Sequence, residues 1–138
     1  MKKIIFLDID GVVAVASSSW LVSTTLMNRL LEAVRLTGAT VVVSSTWKED
    51  TLEKTKSFMP DALKEVISDQ TPDLNGRTAL EIEDYLKEHP TEAFCILDDE
   101  PDRYPERLQP NLVATNPVMG LSYADIAKIK ELLGSKAA

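Results

Sequence analysis

The chain has 138 residues, 44% of them hydrophobic and 27% charged, which suits one folded domain over residues 1–138 and excludes a disordered class. Its net charge of −7 repels nucleic-acid backbones and anionic membranes, so strong nucleic-acid binding is not expected. A single cysteine, Cys95 in the apolar run 94–97, excludes an intrachain disulfide framework and a cysteine-based zinc site, and reads as a small buried hydrophobe. The basic start Met1-Lys2-Lys3 is followed by an apolar stretch that meets Asp8 too soon for a signal peptide. No run approaches the ~20 apolar residues of a membrane-spanning helix. The expectation is a soluble, cytoplasmic protein with no membrane partner.

Residues 4–7 form an apolar run that reads as a short buried strand. It ends at Asp8, with Asp10 two residues on and Gly11 behind it. Side chains alternate along a strand, so the two acids share a face if the strand continues, and Gly11 permits a sharp departure. Two carboxylates at the end of a strand make a seat for a hard cation such as Mg²⁺. Asp-Gly is also a common hairpin pair, but the remainder of the chain weighs against a hairpin.

Residues 12–20 read as a loop or short hairpin beside these acids. Ser23 caps a helix whose stripe is Leu26, Leu30 and Val34, and Thr37-Gly38 ends it. Thr40 to Val43 is a β-branched second strand that ends in Ser44-Ser45-Thr46. Thr46 and Glu49 fit a capping box, which predicts a helix from just after Thr46 toward Phe58. Residues 60–76 are the least regular, with a short third strand expected at 65–68 and turn chemistry at 71–76. Thr78 and Glu81 form another capping box, opening a helix that Pro90 closes. Residues 93–97 are a strand ending in Asp98-Asp99, the second acidic strand end. Pro101 and Pro105 bracket an irregular connection, residues 112–115 form a weak fifth strand, and a Ser122/Asp125 box opens a last helix that ends at Gly134. Strands alternate with helices, which argues an α/β fold: a three-layer, Rossmann-like parallel sheet with helices on both faces.

Asp8/Asp10, Ser44, Arg77 and Asp98/Asp99 all fall on the predicted carboxyl side of that sheet, where α/β folds bind ligands. In order, they resemble the four motifs of the haloacid dehalogenase-like (HAD) superfamily of phosphatases and phosphotransferases. These are a strand followed by DxDG (Leu7-Asp8-Ile9-Asp10-Gly11), a strand ending in Ser or Thr (Ser44), a basic residue near a helix start (Arg77) and an acidic pair ending a strand (Asp98-Asp99). The resemblance covers nearly the whole chain. The first and fourth motifs together are quite specific; the second is loose, and the third is one residue found by position.

The resemblance implies a Mg²⁺-dependent phosphatase. Asp8 would be the nucleophile that forms an aspartyl-phosphate, and Asp10 the general acid and base. Mg²⁺ would be held by Asp8, Asp98 and the main-chain carbonyl of Asp10, with Asp99 acting through a water. Ser44 would hold phosphoryl oxygens, and Arg77 would neutralise charge. Ser45 rivals Ser44, which is favoured because it directly follows the apolar run. Lys48 and Lys64 rival Arg77, but Lys48 falls inside a predicted helix and Lys64 in the irregular stretch. Asp102 is either an extension of the fourth motif or a loop residue. Trp47 reads as a packing residue, and Trp20 has the better claim to face the site. His89, at a helix end, suits the helix dipole.

Neither gap between motifs is long enough for a cap domain, so a capless HAD-like core with an open site is expected. Capless members of the superfamily often act on macromolecules or take a lid from a partner subunit. The phrasing Ser-Ser-Thr-Trp, and Gly-Arg followed by Glu81-Ile82, looks like a small capless branch associated partly with RNA repair. The expected partner is a phosphorylated substrate, either a small molecule or the exposed phosphate of a macromolecule. The alternative is a non-catalytic Mg²⁺- or phosphate-binding module on the same fold. A Ser-His-Asp triad has only His89 available, a cysteine phosphatase lacks its Arg, and no GxxxxGK loop exists.

Overall fold

The computed structural model describes residues 1–136. Five strands, β1 (Lys2–Leu7), β2 (Thr40–Val43), β3 (Ile67–Gln70), β4 (Thr91–Asp98) and β5 (Leu112–Ala114), form one sheet of order β3-β2-β1-β4-β5. Every pairing is parallel. The helices are α1 (Thr24–Thr37), α2 (Leu52–Lys56), α3 (Asp61–Val66), α4 (Thr78–Glu88) and α5 (Tyr123–Leu133). The chain leaves β1 toward β2 on one side and later returns to place β4 on the other. The crevice of the sheet therefore opens at the carboxyl ends of β1 and β4.

Period-two alternation divides the core. Ile5, Leu7, Val41, Val43, Cys95, Leu97 and Val113 face one side and pack against α1, α3 and α5. Ile4, Phe6, Val42, Ile96 and Leu112 face the other side and pack against Ile82 and Tyr85 of α4, Tyr104 and Leu108. Burial of Cys95 pushes its thiol pKa well up, so it behaves as an inert apolar side chain.

The register sets the height of the site. Leu7 lies opposite both Val43 and Leu97, so the next residues, Asp8, Ser44 and Asp98, emerge level with one another. Ladder bonds continue one step past the strands: Asp8 N–H donates to Leu97 O (3.1 Å), and Ser44 N–H to Leu7 O (2.9 Å).

Local expectations differ from the structure in three places. No helix starts at Thr46: α2 begins at Leu52, with Thr51 as its cap. The side chains of Trp47 and Lys48 are drawn inward to Asp10 and Glu81, and the Glu49 N–H goes to Thr55 Oγ1 (2.7 Å). The Thr78/Glu81 box is not formed either. The helix α4 starts where predicted, but Arg77 is the cap residue, and the Glu81 carboxylate serves Lys48 and the Leu74 N–H. Residues 61–66 are the helix α3, anchored by the fully buried Leu63, which moves the third strand two residues later than expected. The Ser122/Asp125 box is present as read. Among the described residues, the stretch before α1 holds a 3-10 turn (Ala16–Ser18) and that between β2 and α4 holds α2, α3 and β3. Neither builds a cap. No helix among the described residues is long and apolar enough to cross a membrane.

Candidate active site

Carboxylate oxygens of Asp8, Asp98 and Asp99 lie within 4.8 Å of one another at the adjacent ends of β1 and β4. Asp98 is fully buried. Its Oδ1 accepts from Glu100 N–H (2.9 Å), and its Oδ2 from the Tyr104 hydroxyl (2.6 Å) and Arg103 Nη1 (3.5 Å). Among the described residues, none donates such a hydrogen bond to the Asp8 carboxylate. Its pKa is pushed up to about 8, first by burial and next by the Asp98 charge; Arg103 opposes the rise, while Asp99 and Asp10 add to it. Asp99 is also raised, by burial first and then by Asp98. Hard oxygen donors with uncompensated charge are the chemistry that a small divalent cation satisfies.

Gly11 makes this packing possible. Its φ is +83°, and a Cβ there would lie 2.3 Å from the Asp99 Cγ. Any larger residue would meet backbone strain and a steric clash together.

Asp10 stands outside the carboxylate cluster. Its Oδ1 accepts from the Trp47 indole N–H (3.1 Å). Trp47 thus does two things: its ring packs against the larger core, and its N–H fixes a strand-end acid.

Ser44 is buried, and its Oγ has no hydrogen-bond partner among the described residues. The Ser45 Oγ, by contrast, accepts from Trp47 N–H (3.1 Å). A buried hydroxyl without a partner is costly, so an incoming acceptor or donor is well met at Ser44.

Two adjoining cavities meet at Thr46. One, about 330 Å³, is lined by Asp8, Asp10, Trp20, Asp99, Glu100 and Arg103. The other, about 620 Å³, includes Ser44, Lys48, Glu49, Asp50, Asp73 and Glu81 in its wall. Arg77 is exposed at the mouth of the larger one, between the lining residues Gly76 and Thr78. Its Nε donates to Leu74 O (3.0 Å). Lys48 reaches further in but is fully engaged. Its Nζ lies 2.9 Å from Glu81 Oε1, 2.8 Å from Thr71 Oγ1, and within 3.3 Å of the Thr71 and Pro72 carbonyls. Lys48 and Glu81 form a buried ion pair that fastens the β2 end to α4.

Lys64 is paired with Asp61, and Asp102 is exposed, both away from these walls. His89 stacks on Tyr85 at 3.8 Å, and its Nδ1–H donates to Tyr85 O (2.8 Å) at the carboxyl end of α4. Two residues of the site have no motif: Arg103 and Tyr104, which hold Asp98. Their only sequence signal is their position in the proline-bracketed turn directly after the acidic pair. Burial and the Asp98 charge push the Tyr104 pKa up, so its phenol remains a donor.

A parallel α/β sheet carries acids at two adjoining strand ends and, level with them, a buried serine with no partner among the described residues. The chain belongs to the family described as the HAD domain in Swiss Army Knife RNA repair proteins, whose model matches residues 4–126. Comparison with curated proteins and with solved structures gives no match.

Proposed function

We propose that the protein is a Mg²⁺-dependent phosphomonoester hydrolase that works through an aspartyl-phosphate at Asp8. The observation that carries this reading is the convergence of Asp8 with Asp98 and Asp99 within 4.8 Å. Family membership supports it. Those three carboxylates would hold the ion, with the Asp10 main-chain carbonyl as a further oxygen. Mg²⁺, when bound, would screen the repulsion between the Asp8 carboxylate and a phosphate dianion.

The residues of the chain divide the remaining work. A carboxylate oxygen of Asp8 bonds to phosphorus as the bond to the leaving oxygen breaks. Asp10 gives that oxygen its proton. Trp47 occupies Asp10 Oδ1, which leaves Oδ2 to carry the proton. Asp10 then takes a proton from water, the water oxygen attacks phosphorus, the bond to Asp8 breaks and inorganic phosphate leaves. The Ser44 hydroxyl and Arg77 bind the phosphoryl oxygens. Arg103 and Tyr104 hold the Asp98 carboxylate in place by donating to its Oδ2.

The first test is Mg²⁺-dependent release of phosphate from a generic aryl phosphate. No release, with intact Mg²⁺ binding, would favour the non-catalytic module instead. Asp10→Asn is expected to slow substrates with poor leaving groups far more than those with good ones, because the acid matters where the leaving oxygen needs its proton. Trp47→Phe should show the same split more weakly. Equal slowing of both classes by Asp10→Asn would remove Asp10 from the acid role.

The two cations can be separated as well. Arg77→Ala should lower turnover of both substrate classes and leave the melting temperature nearly unchanged, since its side chain is exposed. Lys48→Met should lower the melting temperature by several degrees, because Glu81 is left buried without its cation. If Lys48→Met instead loses activity with no loss of stability, Lys48 is the phosphate cation.

A further inference from the structure

Trp20 is the odd member of the smaller cavity. It lines the same space as Asp8 and Asp10, yet it is 50% exposed and belongs to neither core cluster. Its φ is +58°, directly after Ser19 at +55°. Two successive non-glycine residues in the left-handed region are strained, more so when one is bulky. The surrounding turn enforces the conformation. Trp20 N–H donates to Val15 O (3.0 Å), Ser19 N–H to Ala16 O (2.9 Å), and the Ser18 hydroxyl to Leu21 O (2.7 Å). Beneath it, Val12 to Val15 are buried. A strained backbone thus holds a large ring open at the mouth of a catalytic cavity, where core packing does not account for it.

Charge adds a second constraint. Asp10, Asp99 and Glu100 surround this cavity, and its one lining cation, Arg103, is committed to Asp98 and Glu100. Glu49, Asp50 and Asp73 line the neighbouring cavity, where Lys48 is committed to Glu81. Apart from Arg77 at the mouth, which the reacting phosphoryl group would take, neither wall among the described residues offers an uncommitted cation to a second phosphate.

We propose that Trp20 is a stacking platform, and that the substrate is a small phosphomonoester whose leaving alcohol carries one flat aromatic ring and no further phosphate. The inference rests on the phosphatase reading above. Nucleoside monophosphates and aryl phosphates share this chemistry. A phosphorylated nucleic-acid end does not, because its next phosphodiesters would run past the carboxylates.

The test compares the full chain, with Mg²⁺, on adenosine 5′-monophosphate, phenyl phosphate, ribose 5-phosphate and an oligonucleotide with a terminal phosphate. The better of the first two identifies the kind of ring. KM for that compound should lie about tenfold or more below that for ribose 5-phosphate. Trp20→Ala should erase the difference by raising KM on the ring-bearing compound, with kcat and the ribose 5-phosphate constants unchanged. Trp20→Phe should retain most of the preference. A loss shared by ribose 5-phosphate, or no loss at all, overturns the stacking role. A kcat/KM for the oligonucleotide above that for the mononucleotide overturns the single-phosphate restriction.

Binding of the same compounds to Asp8→Asn, followed by calorimetry, gives a readout without turnover. Ring-dependent binding that Trp20→Ala abolishes, when the wild-type protein hydrolyses none of the compounds, would sink the phosphatase reading and keep the platform. Absence of both would sink both.

Discussion

Asp8→Asn is expected to lower kcat by ~10³-fold or more on every substrate, as loss of a group that acts as part of a unit does. The substitution is nearly isosteric, and an amide oxygen is a poor nucleophile toward phosphorus. The fold should not suffer. Asp8 sits at the end of the central strand, with its backbone N–H on Leu97 O, and the substitution removes a charge from a buried acidic cluster. Steady-state rates and melting curves on the same preparation check both halves. A variant that keeps a tenth of the wild-type rate would rule out covalent chemistry at Asp8.

Melting temperature of the metal-free protein is expected to fall as pH rises from about 4 to about 8. The sign follows from Asp8, whose carboxyl moves from 3.8 to about 8 on folding. Below pH 4 both the folded and the unfolded chain hold that proton, and nothing is lost. Between the two values the unfolded chain releases it while the folded chain retains it, so stability declines with pH. Above pH 8 the penalty is complete. Asp8→Asn should flatten this slope and stabilise the metal-free protein most at the alkaline end.

A Mg²⁺ ion held by this cluster would bind its deprotonated form, so the stabilisation it confers should grow over the same range. It should reach about 2.7 kcal/mol at a hundred times the dissociation constant. Asp98→Asn should abolish that response. It should not by itself raise the metal-free melting temperature, because it disturbs the hydrogen bonds that Tyr104, Arg103 and the Glu100 N–H donate to the Asp98 carboxylate. Asp102→Asn should keep the response. Melts at pH 5 and pH 8, with and without Mg²⁺ at matched ionic strength, check the set. An identical Mg²⁺ response in wild type and Asp98→Asn would mean that the metal site lies elsewhere.

Much of the site was legible in the chain. Asp8, Ser44 and Asp98 each follow directly on an apolar run, and an in-register parallel sheet brings such positions level. Strong hydrophobic runs mark central strands, and the residue after each run is easily found. What was not legible depends on convergence across the fold. The bond from Trp47 to Asp10 spans 37 positions, and that from Lys48 to Glu81 spans 33. No local pattern encodes either. These long-range bonds also defeated local rules: the boxes at Thr46/Glu49 and Thr78/Glu81 have the right spacing, but Trp47, Lys48 and Glu81 were already engaged. The helix α3 was missed because it is short and its one fully buried residue, Leu63, sets no period. The difference between the two serines is visible only in the structure, in which the Ser45 Oγ accepts from Trp47 N–H and the Ser44 Oγ has no partner among the described residues.

The most direct measurement is chemical trapping of the intermediate. Wild-type protein turning over an aryl phosphate with Mg²⁺ is quenched and treated with borohydride, which reduces an acyl phosphate to an alcohol. Peptide mass spectrometry then locates the reduced residue. The account predicts homoserine at position 8 and nowhere else, formed only when substrate and Mg²⁺ are both present. Turnover without any modified residue, or with the modification at Asp10, Asp98 or Asp99, would contradict it.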